Sequence, residues 1–141
     1  DSLTAALEAA RRIVWSDGGS ELTVVAKGNA TACVGVEAAL LPKPGPSCLA
    51  TAGSGDVLAG IMVSLLARGG KDTEALPMLA SLACEIHGCA ASFAQERYGS
   101  RGVMAADIIE AVGLAVDAVE DRAAFGDEGH GPAGDDKTTE N

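Results

Sequence analysis

At 141 residues the chain is long enough for one domain with a single core and too short for two ordinary ones. A formal charge of -10, with no Lys/Arg cluster, argues against a nucleic-acid partner, because phosphate backbones bind basic surfaces that release counterions. Apolar residues make up 48% of the chain but aromatics only 3%, so Ala, Val, Leu and Ile carry the core, as suits closely packed helices on a small sheet.

Asp1 or Ser2 is placed to cap a first helix whose apolar positions Leu3, Leu7, Ala10 and Val14 recur at helical spacing. It ends before the turn Asp17-Gly18-Gly19. The run Leu22-Thr23-Val24-Val25-Ala26 is β-branched and almost continuously apolar, the pattern of a strand covered on both faces, as in a parallel sheet. Lys27-Gly28-Asn29 turns the chain, and Ala30 to Val36 is expected to form a second, paired strand. Pro42 to Pro46 forbids regular structure in the loop that follows.

After Gly53-Ser54-Gly55 a helix is expected from about Asp56 to the stop at Arg68-Gly69-Gly70, carrying Val57, Ile61, Ser64, Leu65 and Ala67. Thr73 is placed to cap a longer helix reaching about Arg97, with Pro77 in its first turn and Leu79, Ala83, Ile86, Ala90 and Phe93 on one face, until Gly99 stops it. A last helix, Ala105 to Val119, aligns Ile108, Val112, Ala115 and Val119. The division expected is therefore an ordered part over 1–120 and an acidic tail over 121–141, too poor in apolar residues to order itself.

Cys33, Cys48, Cys84 and Cys89 form no C-x-x-C pair, no His stands at zinc-finger spacing, and each thiol has apolar neighbours, so reduced, buried thiols are expected. No leader pattern opens the chain and no uninterrupted apolar run approaches the ~20 residues of a membrane span. The location expected by default is cytoplasmic, with no membrane partner.

Chemistry concentrates in Leu49-Ala50-Thr51-Ala52-Gly53-Ser54-Gly55-Asp56-Val57-Leu58-Ala59-Gly60. Glycines 53 and 55 permit positive φ and remove the Cβ atoms that would hold a ligand off. A helix beginning there directs N–H groups and its dipole into the loop, which favours a phosphate, and a carboxylate at Asp56 can serve as base toward a hydroxyl. The plain alternative is that Asp56 is a helix N-cap. Neither a G-x-x-x-x-G-K-[ST] loop nor G-x-G-x-x-G is present, since position 58 is Leu. His87 is expected to be a packed, hydrogen-bonded histidine, His130 a solvated one, and Asp107 a first-turn residue matched to its helix dipole.

The segment LATAGSGDVLAGI, with VVAKGNAT before it and His87-Gly88 and RGVMAADII after it, resembles the C-terminal half of the ADP/ATP-dependent NAD(P)H-hydrate dehydratases, members of the ribokinase-like superfamily. The resemblance runs from about Leu3 to Val119 and departs from the family at Gly45-Pro46-Ser47-Cys48, where an Asn usually follows a glycine. It implies an α/β chain, the C-terminal fragment of a three-layer α/β/α ribokinase-like fold, with further strands and part of the substrate pocket lying before Asp1. The implied reaction is dehydration of hydrated NADH or NADPH with ADP or ATP as co-substrate and Mg2+ on the phosphates. Asp56 corresponds to the catalytic base, Gly53, Ser54 and Gly55 to the anion hole, and Lys27, Gly28, Asn29 and Thr31 to the nucleotide-binding KG-x-x-T turn. A homo-oligomer or the absent segment is expected to cover part of the apolar surface. Two rival readings are a ribokinase-like kinase for a sugar or hydroxymethylpyrimidine, using Asp56 on another alcohol, and a non-catalytic nucleotide-binding module.

Overall fold

A computed structural model describes residues 2–16, 22–28, 30–69 and 72–125. Helix α1 (Ser2–Ser16) leads into a hairpin of β1 (Val24–Ala26) and β2 (Ala32–Val34), extended by the two-residue β3 (Ala39–Leu40). A short 3-10 helix at Ser47–Ala50 precedes α2 (Ser54–Gly69), α3 (Leu76–Tyr98) and α4 (Ala105–Phe125).

The three strands lie in the order β1-β2-β3 and every pairing is antiparallel, with Val25 opposite Cys33 and Cys33 opposite Leu40. The strand expected to pair across the Lys27-Gly28-Asn29 turn does so, antiparallel, and no parallel neighbour of β1 is present among the described residues. Continuous apolarity reports that both faces are covered, whereas direction follows from the connection, and the few residues between Ala26 and Ala32 can join only antiparallel neighbours. The coverage itself is present. Val24, Ala26, Ala32 and Val34 pack with Ala10 and Val14 of α1 on one face. Val25, of opposite parity, faces Met62, Leu66 and Ala80 of α2 and α3, and α3 packs along β2. The second strand is shorter than the run Ala30 to Val36, and β3 and the 3-10 helix were not expected.

The larger core lies among α2, α3 and α4, where Leu58 and Ile61 meet Ala83, Ile86, Ala90 and Ala94, with Ile108, Ala111 and Ala115 completing it. Five of the buried positions on α3 are alanines (80, 83, 90, 91 and 94), which let two helices approach its backbone closely. By length and hydropathy α3 would pass as a membrane-crossing helix, yet it packs against α2, α4 and the sheet, and its apolar character is that of a central core helix.

Helix ends differ from the expected ones in physically informative ways. Asp1 lies outside the described residues, as does the side chain of Ser2. Thr73 does not cap α3 with its side chain: Ala75 occupies the N-cap, the Thr73 carbonyl accepts from the Leu76 N–H, and Asp72 Oδ1 accepts from the Glu74 N–H at 3.1 Å. At α4 the Asp107 carboxylate accepts from the Met104 N–H at 2.8 Å, so this first-turn acid closes half a capping box in addition to meeting the dipole. That helix continues to Phe125, past the change of composition at Asp121, and residues 126–141, with His130, lie outside the described part.

Gly99 ends α3 at φ 74° and ψ 159°, a region that only glycine enters freely. No neighbour would meet a Cβ there, so the cost of a side chain is backbone strain alone. Gly99→Ala is expected to lower the unfolding free energy by about 1–3 kcal/mol, read as a lower urea midpoint at unchanged slope.

Candidate functional site

The loop before α2 folds into the helix by its own backbone. Gly53 takes φ 83° and its carbonyl accepts from the N–H groups of Asp56 and Val57, so Gly53, rather than Asp56, stands at the N-cap. Asp56 is an exposed residue of the first turn, which sets aside the reading of it as a cap. The helix begins at Ser54, two residues earlier than expected.

The two glycines serve different ends. Gly53 is needed for its positive φ, and a Cβ there would also lie 3.1 Å from that of Ala105, so the starts of α2 and α4 touch. Gly55 has no positive φ; a Cβ there would instead stand 3.4 Å from the Lys27 Nζ. The ammonium of the turn after β1 therefore reaches the first turn of the helix, across 28 positions of sequence. Of the loop amides, the Ser54 N–H is taken by the Thr51 carbonyl at 3.3 Å, while those of Gly53 and Gly55 have no carbonyl partner among the described residues.

Beside this junction lies a cavity of about 230 Å³, lined by Lys27, Gly28, Thr31 and Lys43 on one side and by Ser54 and His87 on the other. Asn29 lies outside the described residues. Gly53, Gly55 and Asp56 are not among the cavity's lining residues, and all three are exposed at the helix start. The proline loop closes one wall because Gly45 and Gly88 approach backbone to backbone: a Cβ built on either would stand 3.5 Å from the other's Cα. Among the described residues no carboxylate lines the cavity, and Lys27 and Lys43 leave it cationic.

His87 is where sequence reasoning was half right. It is packed and hydrogen-bonded as expected, with Nε2 3.2 Å from Ser54 Oγ. It also belongs to the cavity, which an isolated histidine on an apolar helix face gives no means of seeing. Burial, then the nearby Lys27 charge, hold its imidazole below the ordinary range, against an opposing hydrogen bond to the Ser54 backbone. Folding therefore favours the neutral ring. The unfolded chain protonates first as pH falls through about 6.5, so stability present above that value is lost on acidification. The wild-type urea midpoint is expected to fall more between pH ~7 and pH ~5 than that of His87→Gln, which has no such group to protonate; parallel midpoints would remove the effect.

All four cysteines are unbridged, Cys33 and Cys48 buried and Cys84 and Cys89 partly so. Cys48 Sγ donates to the Ala91 carbonyl at 3.5 Å. Cys84 faces the cavity from α3, and its thiol is drawn below the ordinary range by a hydrogen bond from Cys33 and by Lys27, against burial and Glu85. Cys33, the donor, holds its proton well above that range.

Among the described residues no group of three or more His, Cys, Asp or Glu could hold a metal ion.

Residues 5–113 match the sequence profile described as NAD(P)H-hydrate dehydratase. No curated protein matches the chain. Among solved structures, Bacillus subtilis YxkO aligns with a TM-score of 0.64 at 20% identity, over 79% of this chain and 40% of its own. The ADP/ATP-dependent NAD(P)H-hydrate dehydratase of Bacillus subtilis, co-crystallised with ATP and Mg2+, gives the same TM-score and identity over 79% of this chain and 38% of its own. The chain thus spans about two fifths of the structures it resembles, and at that identity the likeness is one of fold.

Proposed function

This chain belongs to the NAD(P)H-hydrate dehydratase family, and from that premise we propose that it forms the nucleotide-binding side of an enzyme that dehydrates hydrated NADH or NADPH at the expense of ADP or ATP. The observation that carries this reading is the meeting of Lys27 with the glycine loop: an ammonium 3.4 Å from the Cβ position of Gly55, beside two unclaimed amides and a cationic cavity. Such a junction suits the terminal phosphates of a nucleotide, whose charge the helix N-terminus and the lysine together offset.

In the proposed reaction the hydroxyl of the hydrated nicotinamide ring attacks the terminal phosphorus. The new P–O bond forms as the bond to the departing nucleotide breaks, and Asp56 accepts the hydroxyl proton. Its place outside the cavity, in the exposed first turn, leaves it free to face a substrate arriving from outside the nucleotide cavity. The N–H groups of Gly53 and Gly55 and the Lys27 ammonium offset charge on the transferred phosphoryl, while Ser54, whose N–H is already bonded, has its hydroxyl to offer. Loss of phosphate from the ring, with a proton released to solvent from the adjacent ring carbon, then forms the new C=C bond and restores the reduced nicotinamide. Magnesium would be held by phosphate oxygens of the nucleotide, supplying positive charge to them and leaving Asp56 free as the base.

The test is recovery of the near-ultraviolet absorbance of reduced nicotinamide when the protein is given hydrated NADH, Mg2+ and ADP or ATP. Recovery supports the dehydratase. Net phosphoryl transfer to a stable product without recovery would transfer the site to a small-molecule kinase, and nucleotide binding with neither would leave a binding module.

A further inference from the structure

Ser54 and His87 are the buried polar side chains among the described residues, exposed by 2% and 3%, and they bond to each other across α2 and α3. A buried hydroxyl and a buried imidazole are costly without partners, so the pair explains its own burial. It does not explain why both line a cavity with Lys27. A hydroxyl has one proton to give. If His87 Nε2 is bare, it takes that proton and Ser54 can only accept from a ligand. If Nε2 carries a hydrogen, it donates to Ser54 Oγ and releases the hydroxyl proton toward the cavity. An anionic oxygen can be bound only in the second arrangement.

Resting on the phosphate-site reading above, we propose that His87 is a positioning residue whose Nε2–H orients the Ser54 hydroxyl to donate to a phosphoryl oxygen of the bound nucleotide. The ionisable groups around the ring are Lys27 beyond β1, Lys43 in the proline loop, and Cys84 one turn earlier on α3 with Cys33 of β2 behind it. Lys27 repels a proton on the ring, so a phosphate that offsets Lys27 raises the proton affinity of His87.

The test is calorimetric binding of ADP with Mg2+ to the 141-residue chain, with the imidazole NMR signals followed in parallel. The chain has two histidines, so the His87 signals are identified by their loss in variants. His87→Gln keeps an amide donor near the place of Nε2, and His87→Leu keeps bulk without a donor. The Gln variant is expected to bind within about twofold of wild type, and His87→Leu and Ser54→Ala to bind about tenfold more weakly. In the wild type, ADP is expected to raise the pH at which His87 titrates, a response that space-filling alone does not produce. A folded Leu variant that binds like wild type overturns the positioning role while the phosphate site stands. Equal weakening in Gln and Leu, with His87 signals unmoved by ADP, overturns it likewise. The wild-type nitrogen spectrum needs no variant: a bare Nε2 in the ADP complex also overturns it. A folded wild type that binds no ADP removes the phosphate-site reading, and the positioning role with it.

Discussion

Asp56→Asn is expected to lower turnover of hydrated NADH by about 10²–10⁴-fold, the contribution of a positioned general base, while ADP affinity stays within a few-fold of wild type. The substitution keeps the shape of the side chain and removes its ability to accept a proton. Stability should change little. Asp56 lies in the first turn of α2 but caps nothing, and an exposed carboxylate near a helix N-terminus contributes about 0.3–1 kcal/mol. The two effects are therefore well separated in size. Steady-state kinetics and a urea titration on the same preparation distinguish them: turnover within about tenfold of wild type, with only the small stability loss, would return Asp56 to a dipole-matching role and favour the binding module.

The largest structural effect is expected at Ile108, which is fully buried where α4 meets α2 and α3. Ile108→Ala removes three side-chain carbons from a close-packed centre that it shares with Leu58, Ile61, Ile86 and several alanines. A loss of about 2–5 kcal/mol is expected. The adjacent Ile109 is 59% exposed, and its truncation is expected to cost no more than about 0.5 kcal/mol. Comparable urea midpoints for the two variants would contradict the packing of α4 described above.

These two residues also mark how far sequence reasoning reaches. The stripe Ile108, Val112, Ala115 and Val119 is readable because a helix buries every third or fourth residue, and α4 does bury or half-bury those positions. The same holds for Leu3, Leu7, Ala10 and Val14 on α1. On α2 the pattern overreached, since Ser64 and Ala67 remain exposed. The glycine loop was legible as the start of a helix, though not its register: the choice of Gly53 as N-cap depends on which residue adopts positive φ, and each of two nearby glycines could have done so.

What the sequence by itself determined are the features set by local periodicity and by residue type: the helices, the doubly covered strand, the stop at Gly99, and the concentration of glycine and carboxylate at 53–56. Only the tertiary structure decided the placing of Lys27 beside Gly55, the backbone contact of Gly45 with Gly88, and the bond between Ser54 and His87. Each of these joins residues far apart in the chain. Periodicity records which face of an element is covered, and it contains nothing about what covers it.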